Sequence, residues 1–258
     1  MARISRRDWL KGAAALAAIQ GGRRAGAQVG MELRAGRPPV NQRHFRCAAV
    51  EALIAKTRRQ IRDEALAVIF ENCFPNTLDT TVYASTVDGK PDTYVVTGDI
   101  DAMWLRDSSA QVWPYVALAK EDAELRQLLE GLIRRQARMI LIDPYANAFM
   151  RDEKQPPLTW AVHDKTEHHA GVGERKWEVD SLCYPLRLAH GYWKATGDIK
   201  PFDAEWKEAA WNLVRTFREQ QRKKDKGSYS FERNSAVPYD TVALSGFGNP
   251  ARPVGMIF

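Results

Sequence analysis

Cysteine is scarce in this chain: Cys47, Cys73 and Cys183 are scattered, with no CxxC pair. An odd, widely spaced set provides no disulfide framework, so buried free thiols are expected. No GxGxxG, no CxxCH and no glycine loop followed by Lys-Ser/Thr occurs, which removes the usual dinucleotide, haem and phosphate-loop signatures. The apolar run at residues 12–19 is too short to cross a bilayer, and no stable membrane anchor is expected. Strand–helix–strand alternation is also missing, which argues against a parallel sheet.

What is present begins with a leader. Ser5-Arg6-Arg7-Asp8-Trp9-Leu10-Lys11 sets two arginines ahead of the apolar run, and Ala25-Gly26-Ala27 supplies small residues for a signal peptidase. This resembles a twin-arginine export signal. Residues 1–27 are therefore expected to engage the twin-arginine export machinery and to be cleaved after Ala27. A periplasmic or secreted domain of residues 28–258 would remain. Six of the 38 basic residues and one of the 32 acids lie in the leader. The mature balance becomes 32 against 31, a net charge of +1, so charge gives no support for a nucleic-acid partner.

Periodicity predicts a helix over 43–74, where apolar positions recur until Pro75 stops it. Two β-prone runs, 80–86 and 93–97, flank Asp88-Gly89 and predict a hairpin. Further helices are expected over 108–119, 122–141 and 181–196, the last ended by Gly197. Another follows Asp203 as its cap. Residues 143–177 read as a long loop of the kind that usually carries function, and 228–231 as a short strand. Five helices in sequential pairs indicate an all-α bundle or closed toroid.

Chemistry concentrates in two segments. Residues 98–115 hold Asp99, Asp101, Trp104, Arg106, Asp107 and Trp113 at a strand-to-helix junction. Carboxylates accept from hydroxyls, arginine donates through a planar fork and tryptophan offers a flat apolar face. Together these groups suit a sugar ring. The same residues would also serve as a capping cluster, with Asp107 the cap and Trp104 in the core. Trp177-Glu178-Val179-Asp180-Ser181 repeats the theme: two acids in an extended stretch share a face, unless Asp180 caps the next helix. His163, Glu167, His168 and His169 make a poor metal set, since adjacent histidines point apart. The turn Ser245-Gly246-Phe247-Gly248-Asn249-Pro250 would allow a backbone to approach a ligand closely.

These segments, with Phe70-Glu71-Asn72-Cys73-Phe74-Pro75-Asn76-Thr77 and the closing Pro253-Val254-Gly255-Met256-Ile257, resemble glycoside hydrolase family 125, the exo-acting α-mannosidases. The resemblance implies an (α/α)6 toroid that releases terminal non-reducing α-1,6-linked mannose from a mannose-containing glycan, with inversion and with neither metal nor cofactor. Inversion needs an acid and a base roughly 6.5–9.5 Å apart. By resemblance, Trp104, Arg106, Asp107, Glu178 and Asp180 line the terminal mannose pocket, with Asp101 as a further substrate contact. Five helices fall short of six hairpins, so residues 28–258 are expected to form the N-terminal part of the toroid. The family's acid and base are then expected beyond Phe258, with Asp180 and Asp107 standing in as the catalytic carboxylates of this chain. On that expectation the chain alone would be aggregation-prone and inactive. The alternatives are a non-catalytic mannose- or glycan-binding protein, another (α/α)-toroid glycosidase, or an exported redox protein, for which no motif speaks.

Overall fold

The computed structural model describes residues 36–233, 245–248 and 254–257. The leader expected at 1–27 lies outside them, and the chain divides at Arg34/Ala35, so everything below concerns the second unit. Among the described residues, helices dominate: α1 (Ala48–Gln60), α2 (Glu64–Cys73), α3 (Asn76–Thr80), α4 (Leu105–Val112), α5 (Ala123–Ile142), α6 (Val179–Thr196) and α7 (Ala204–Gln220). Short strands interrupt them: β1 (Val82–Val87) pairs with β2 (Lys90–Val95), and β3 (Met103–Trp104), β4 (Ala148–Phe149) and β5 (Val172–Glu174) form a second antiparallel sheet. No helix among the described residues is long and apolar enough to cross a membrane.

The Asp88-Gly89 hairpin forms as its sequence predicts. Both turn residues have positive φ (50° and 73°), the geometry that asparagine, aspartate and glycine tolerate, and the register runs from Val82↔Val95 to Val87↔Lys90. Asp203 caps α7 by accepting from Trp206 N, and Gly197 closes α6 in the left-handed conformation at φ 68°.

Four expectations need correction. The helix over 43–74 is two helices, because Asp63 accepts from Leu66 N at 2.9 Å and starts α2 afresh. A local cap outcompetes a merely continuing apolar pattern. The helix over 108–119 starts three residues earlier, and Pro114 tightens its second half into a 3-10 turn, Trp113–Leu118. The segment 143–177 is a loop pinned by β4 and β5. Finally, 228–231 is no strand: Tyr229 and Phe231 are buried with Tyr145 and Trp177, and only Glu232 bridges to Lys165. The count therefore rises from five helices to seven α-helices and two 3-10 turns among the described residues.

The core centres on α5. Leu125, Leu128, Leu129, Leu132 and Ile133 are each no more than 2 % exposed and pack beneath β2 and against α7. Gly131 lets α5 approach β2: a Cβ there would stand 2.6 Å from Thr93 Oγ1 and 2.9 Å from the Asp92 backbone. Asp203 ties three elements together, accepting from Lys90 Nζ on β2 (2.8 Å) and Arg134 Nη1 on α5 (2.6 Å) as well as capping α7.

Candidate functional site

The starts of α4 and α6 meet. Leu105 N donates to Asn147 O at 3.1 Å, and Trp104 N to Thr97 Oγ1 at 3.1 Å, fixing where α4 begins. Below that first turn, Gln136 Nε2 on α5 reaches Ser108 Oγ (3.0 Å) and Ser109 Oγ (2.8 Å) in an otherwise apolar interior. A buried amide between two hydroxyls locks the rotation of α4, since any turn would strand polar atoms without water.

Arg106 is thereby held facing α6. Its Nη1 donates to Glu178 Oε2 at 2.7 Å and to Asp180 Oδ1 at 3.2 Å, and its Nη2 lies 3.3 Å from Asp107 Oδ2. All four side chains keep between 28 % and 43 % of their surface exposed, so the cluster opens to solvent. Burial opposes the Arg106 charge, but Asp107, Glu178 and Asp180 outweigh it and raise the guanidinium above its ordinary pKa. Cys183 and Cys73 are exposed, not buried as expected, and only Cys47 is enclosed; partial desolvation and then the Asp180 charge still push the Cys183 thiol up, away from a thiolate.

Neither Asp107 nor Asp180 caps a helix. Trp104 is the N-cap of α4 and Glu178 that of α6, and neither uses a side chain to do it. Asp107 and Asp180 instead lie in the first turns, where the positive ends of both helices favour carboxylates. The capping alternative is therefore set aside. Trp104 is half-buried, packed against the cluster of Ala102, Ala148, Leu158 and Ala161. Asp101 stands elsewhere: it is exposed and pairs with Arg151 at 3.7 Å, whose guanidinium stacks 3.7 Å over Tyr83.

The spacing limits the chemistry of the cluster. Sharing one guanidinium nitrogen keeps the bonded oxygens of Glu178 and Asp180 within about 6 Å, closer than the roughly 6.5–9.5 Å that admits a water between an inverting acid and base. That pair is suited to holding hydroxyls. The histidine loop is used structurally: His168 Nε2 is 3.1 Å from the Asp164 carbonyl, and His169 lies beside Asp143 and Glu167. Gly246 is set against the backbone of Phe231. At φ 81° it accepts from Phe231 N at 3.1 Å, and a Cβ would lie 2.8 Å from that nitrogen. Residues 249–253 lie outside the described set.

Sequence reasoning missed Trp160, Glu174 and Arg187. Arg187 covers the Trp113 ring at 4.1 Å and joins α6 to the 3-10 turn. Trp160 donates its indole N–H to Glu174 Oε1 at 2.9 Å. An isolated tryptophan in the polar stretch 143–177 was the available signal.

Comparison with known proteins places the chain among the glycoside hydrolases. It belongs to the metal-independent α-mannosidases, glycoside hydrolase family 125, which match residues 63–258. A curated relative, the meiotically up-regulated gene 157 protein of Schizosaccharomyces pombe, is 38 % identical over 229 residues, covering 83 % of this chain and 45 % of its own length. A solved Streptococcus pneumoniae structure, a metal-independent α-mannosidase in a non-productive complex with α-1,6-mannobiose, matches with a TM-score of 0.74 at 39 % identity. That match covers 82 % of this chain and 49 % of the other. The chain thus spans about half the length of these relatives.

Proposed function

We propose that this chain takes part in metal-independent hydrolysis of terminal non-reducing α-1,6-linked mannose, with inversion at the anomeric carbon. The observation that carries the reading is the convergence of Glu178, Asp180 and Asp107 on Arg106 at the facing starts of α4 and α6. Family membership and the likeness to a structure complexed with α-1,6-mannobiose support it. In this reading the helices belong to an (α/α)6 toroid, and the leader directs twin-arginine export to the periplasm or beyond.

Within the pocket, Arg106 donates to ring hydroxyls, and Glu178 and Asp180 accept from them. Trp104 presents a face to the sugar C–H groups, and Asp101, paired with Arg151, is a further substrate contact. Asp107 and Asp180, on the Nη2 and Nη1 sides of Arg106, stand in here for the pair of catalytic carboxylates that inversion requires.

The closeness of Glu178 to Asp180 favours one second reading, a glycan-binding protein without turnover. Calorimetry with α-1,6-mannobiose, run beside an assay for released mannose, separates the two. Binding with release supports hydrolysis, binding alone supports the second reading, and absence of both sinks each.

A further inference from the structure

Beside the second sheet stands a tryptophan, Trp160, that the Arg106 cluster does not use. Trp104 pairs with Ala148, and Ala148 with Glu174. Residues directly opposite one another across antiparallel strands point to the same face, so Trp104, Ala148 and Glu174 form one row, with a register irregularity just after Ala148. Two strand spacings put the ends of that row ~10 Å apart. At the far end Glu174 is buried, its side chain only 7 % exposed. Its Oε2 accepts from Asn147 Nδ2 at 2.7 Å, Arg233 pairs with its other oxygen, and that same oxygen accepts the Trp160 N–H.

Trp160 is therefore anchored at its polar edge while the residue stays 41 % exposed. The backbone around it is equally fixed, with Leu158 N donating to Gly173 O at 3.0 Å and Ala161 N to Leu158 O at 2.7 Å. An exposed indole ordinarily samples rotamers; this one is held by a buried carboxylate that already has two other partners. Trp104, two residues before Arg106, packs against the cluster holding Leu158 and Ala161, which lie on either side of Trp160 in the chain, and this brings an electron-rich indole near the row.

From this geometry we infer that Trp160 is the stacking platform for the sugar next to the terminal mannose, setting a preference for oligomannosides over free mannose. The inference rests on the mannoside reading of the Arg106 cluster and names its neighbouring subsite. The bound class is a pyranoside whose apolar C–H face lies on the indole, one unit removed from the ring held by Arg106.

Calorimetry on the whole chain with mannose, α-1,6-mannobiose and α-1,6-mannotriose tests it. Trp160→Ala should weaken the di- and trisaccharide roughly tenfold and leave mannose within about twofold, the size expected for one aromatic stack. Trp160→Phe keeps a flat face and loses the N–H, and should retain most of the oligosaccharide affinity. Equal losses for all three ligands, or Phe behaving as Ala, would mean that Trp160 only satisfies Glu174 and would overturn the platform. If the Ala variant does not fold, the Phe variant against wild type decides by the same criterion. A wild-type chain that binds no mannoside at all overturns the mannosidase reading itself and the platform with it. Wild-type binding of mannobiose with no tighter grip than mannose overturns the platform alone.

Discussion

The second residue of α4, Arg106, donates through Nη1 to the second residue of α6, Asp180, at 3.2 Å. Two helix starts thus face each other, and their acids and one arginine are shared between them. Each positive helix end is balanced by a carboxylate.

Replacing Arg106 by lysine tests the cluster. One ammonium cannot donate to three carboxylates and a sugar at once, whereas a planar guanidinium can. Arg106→Lys should lower α-1,6-mannobiose affinity by roughly 100-fold, a figure set by losing charge-assisted hydrogen bonds. Because every partner is about a third exposed, stability should fall by about 1 kcal/mol or less. A binding titration and a urea melt together check this; unchanged affinity would remove Arg106 from the pocket.

The joint at Asp203 should be sensitive to acid. Burial works against its charge, but hydrogen bonds from Lys90, Arg134 and the Trp206 backbone lower its pKa from 3.8 to about 2. The carboxylate thus contributes stability above about pH 4 that is lost as pH falls toward 2, up to about 2 kcal/mol. Asp203→Asn keeps a capping side chain and removes the charge. The variant's unfolding free energy should change less than wild type's across that window, and parallel curves would refute the assignment.

Gly131→Ala should destabilise by about 1–3 kcal/mol, the usual range for overpacking. The added carbon would meet Asp92 backbone atoms at 2.9 Å, and backbone within a sheet cannot step aside. A thermal melt indistinguishable from wild type would show that α5 sits further from β2.

Asp92 is enclosed, its side chain fully buried, and it accepts from Arg135 Nη2 at 2.5 Å and from Arg138. Asp92→Ala leaves two guanidinium groups without their partner and should cost about 3–5 kcal/mol, as loss of one member of a buried pair does. Denaturant midpoints read this directly, and a loss below about 1 kcal/mol would contradict it.

An apolar groove between α6 and α7, lined by Leu186, Ala189, Trp193, Ile199, Phe202 and Trp206, should make the chain adhesive. Trp193 is 45 % and Ile199 69 % exposed. Trp193→Gln with Ile199→Thr should reduce hydrophobic-dye binding and concentration-dependent light scattering without lowering the melting temperature. No reduction in either would show the groove to be inert.

What the sequence by itself determined is whatever depends on neighbours a few positions apart. The Asp88-Gly89 turn, the Asp203 cap, the Gly197 stop and the apolar stripe of α5 are each readable from residues within one or two turns. Local chemistry also misled, because the apolar pattern ran on through Asp63 and Pro114, where a cap and a missing N–H broke it. The tertiary structure alone decided that Arg106 meets Glu178, 72 positions away, while Asp101 turns instead to Arg151. It alone fixed the Trp160 indole on Glu174, across a loop and a strand. Partner choice across such distances follows from how helices and strands pack to bury α5, and composition and spacing do not encode that packing in any local window.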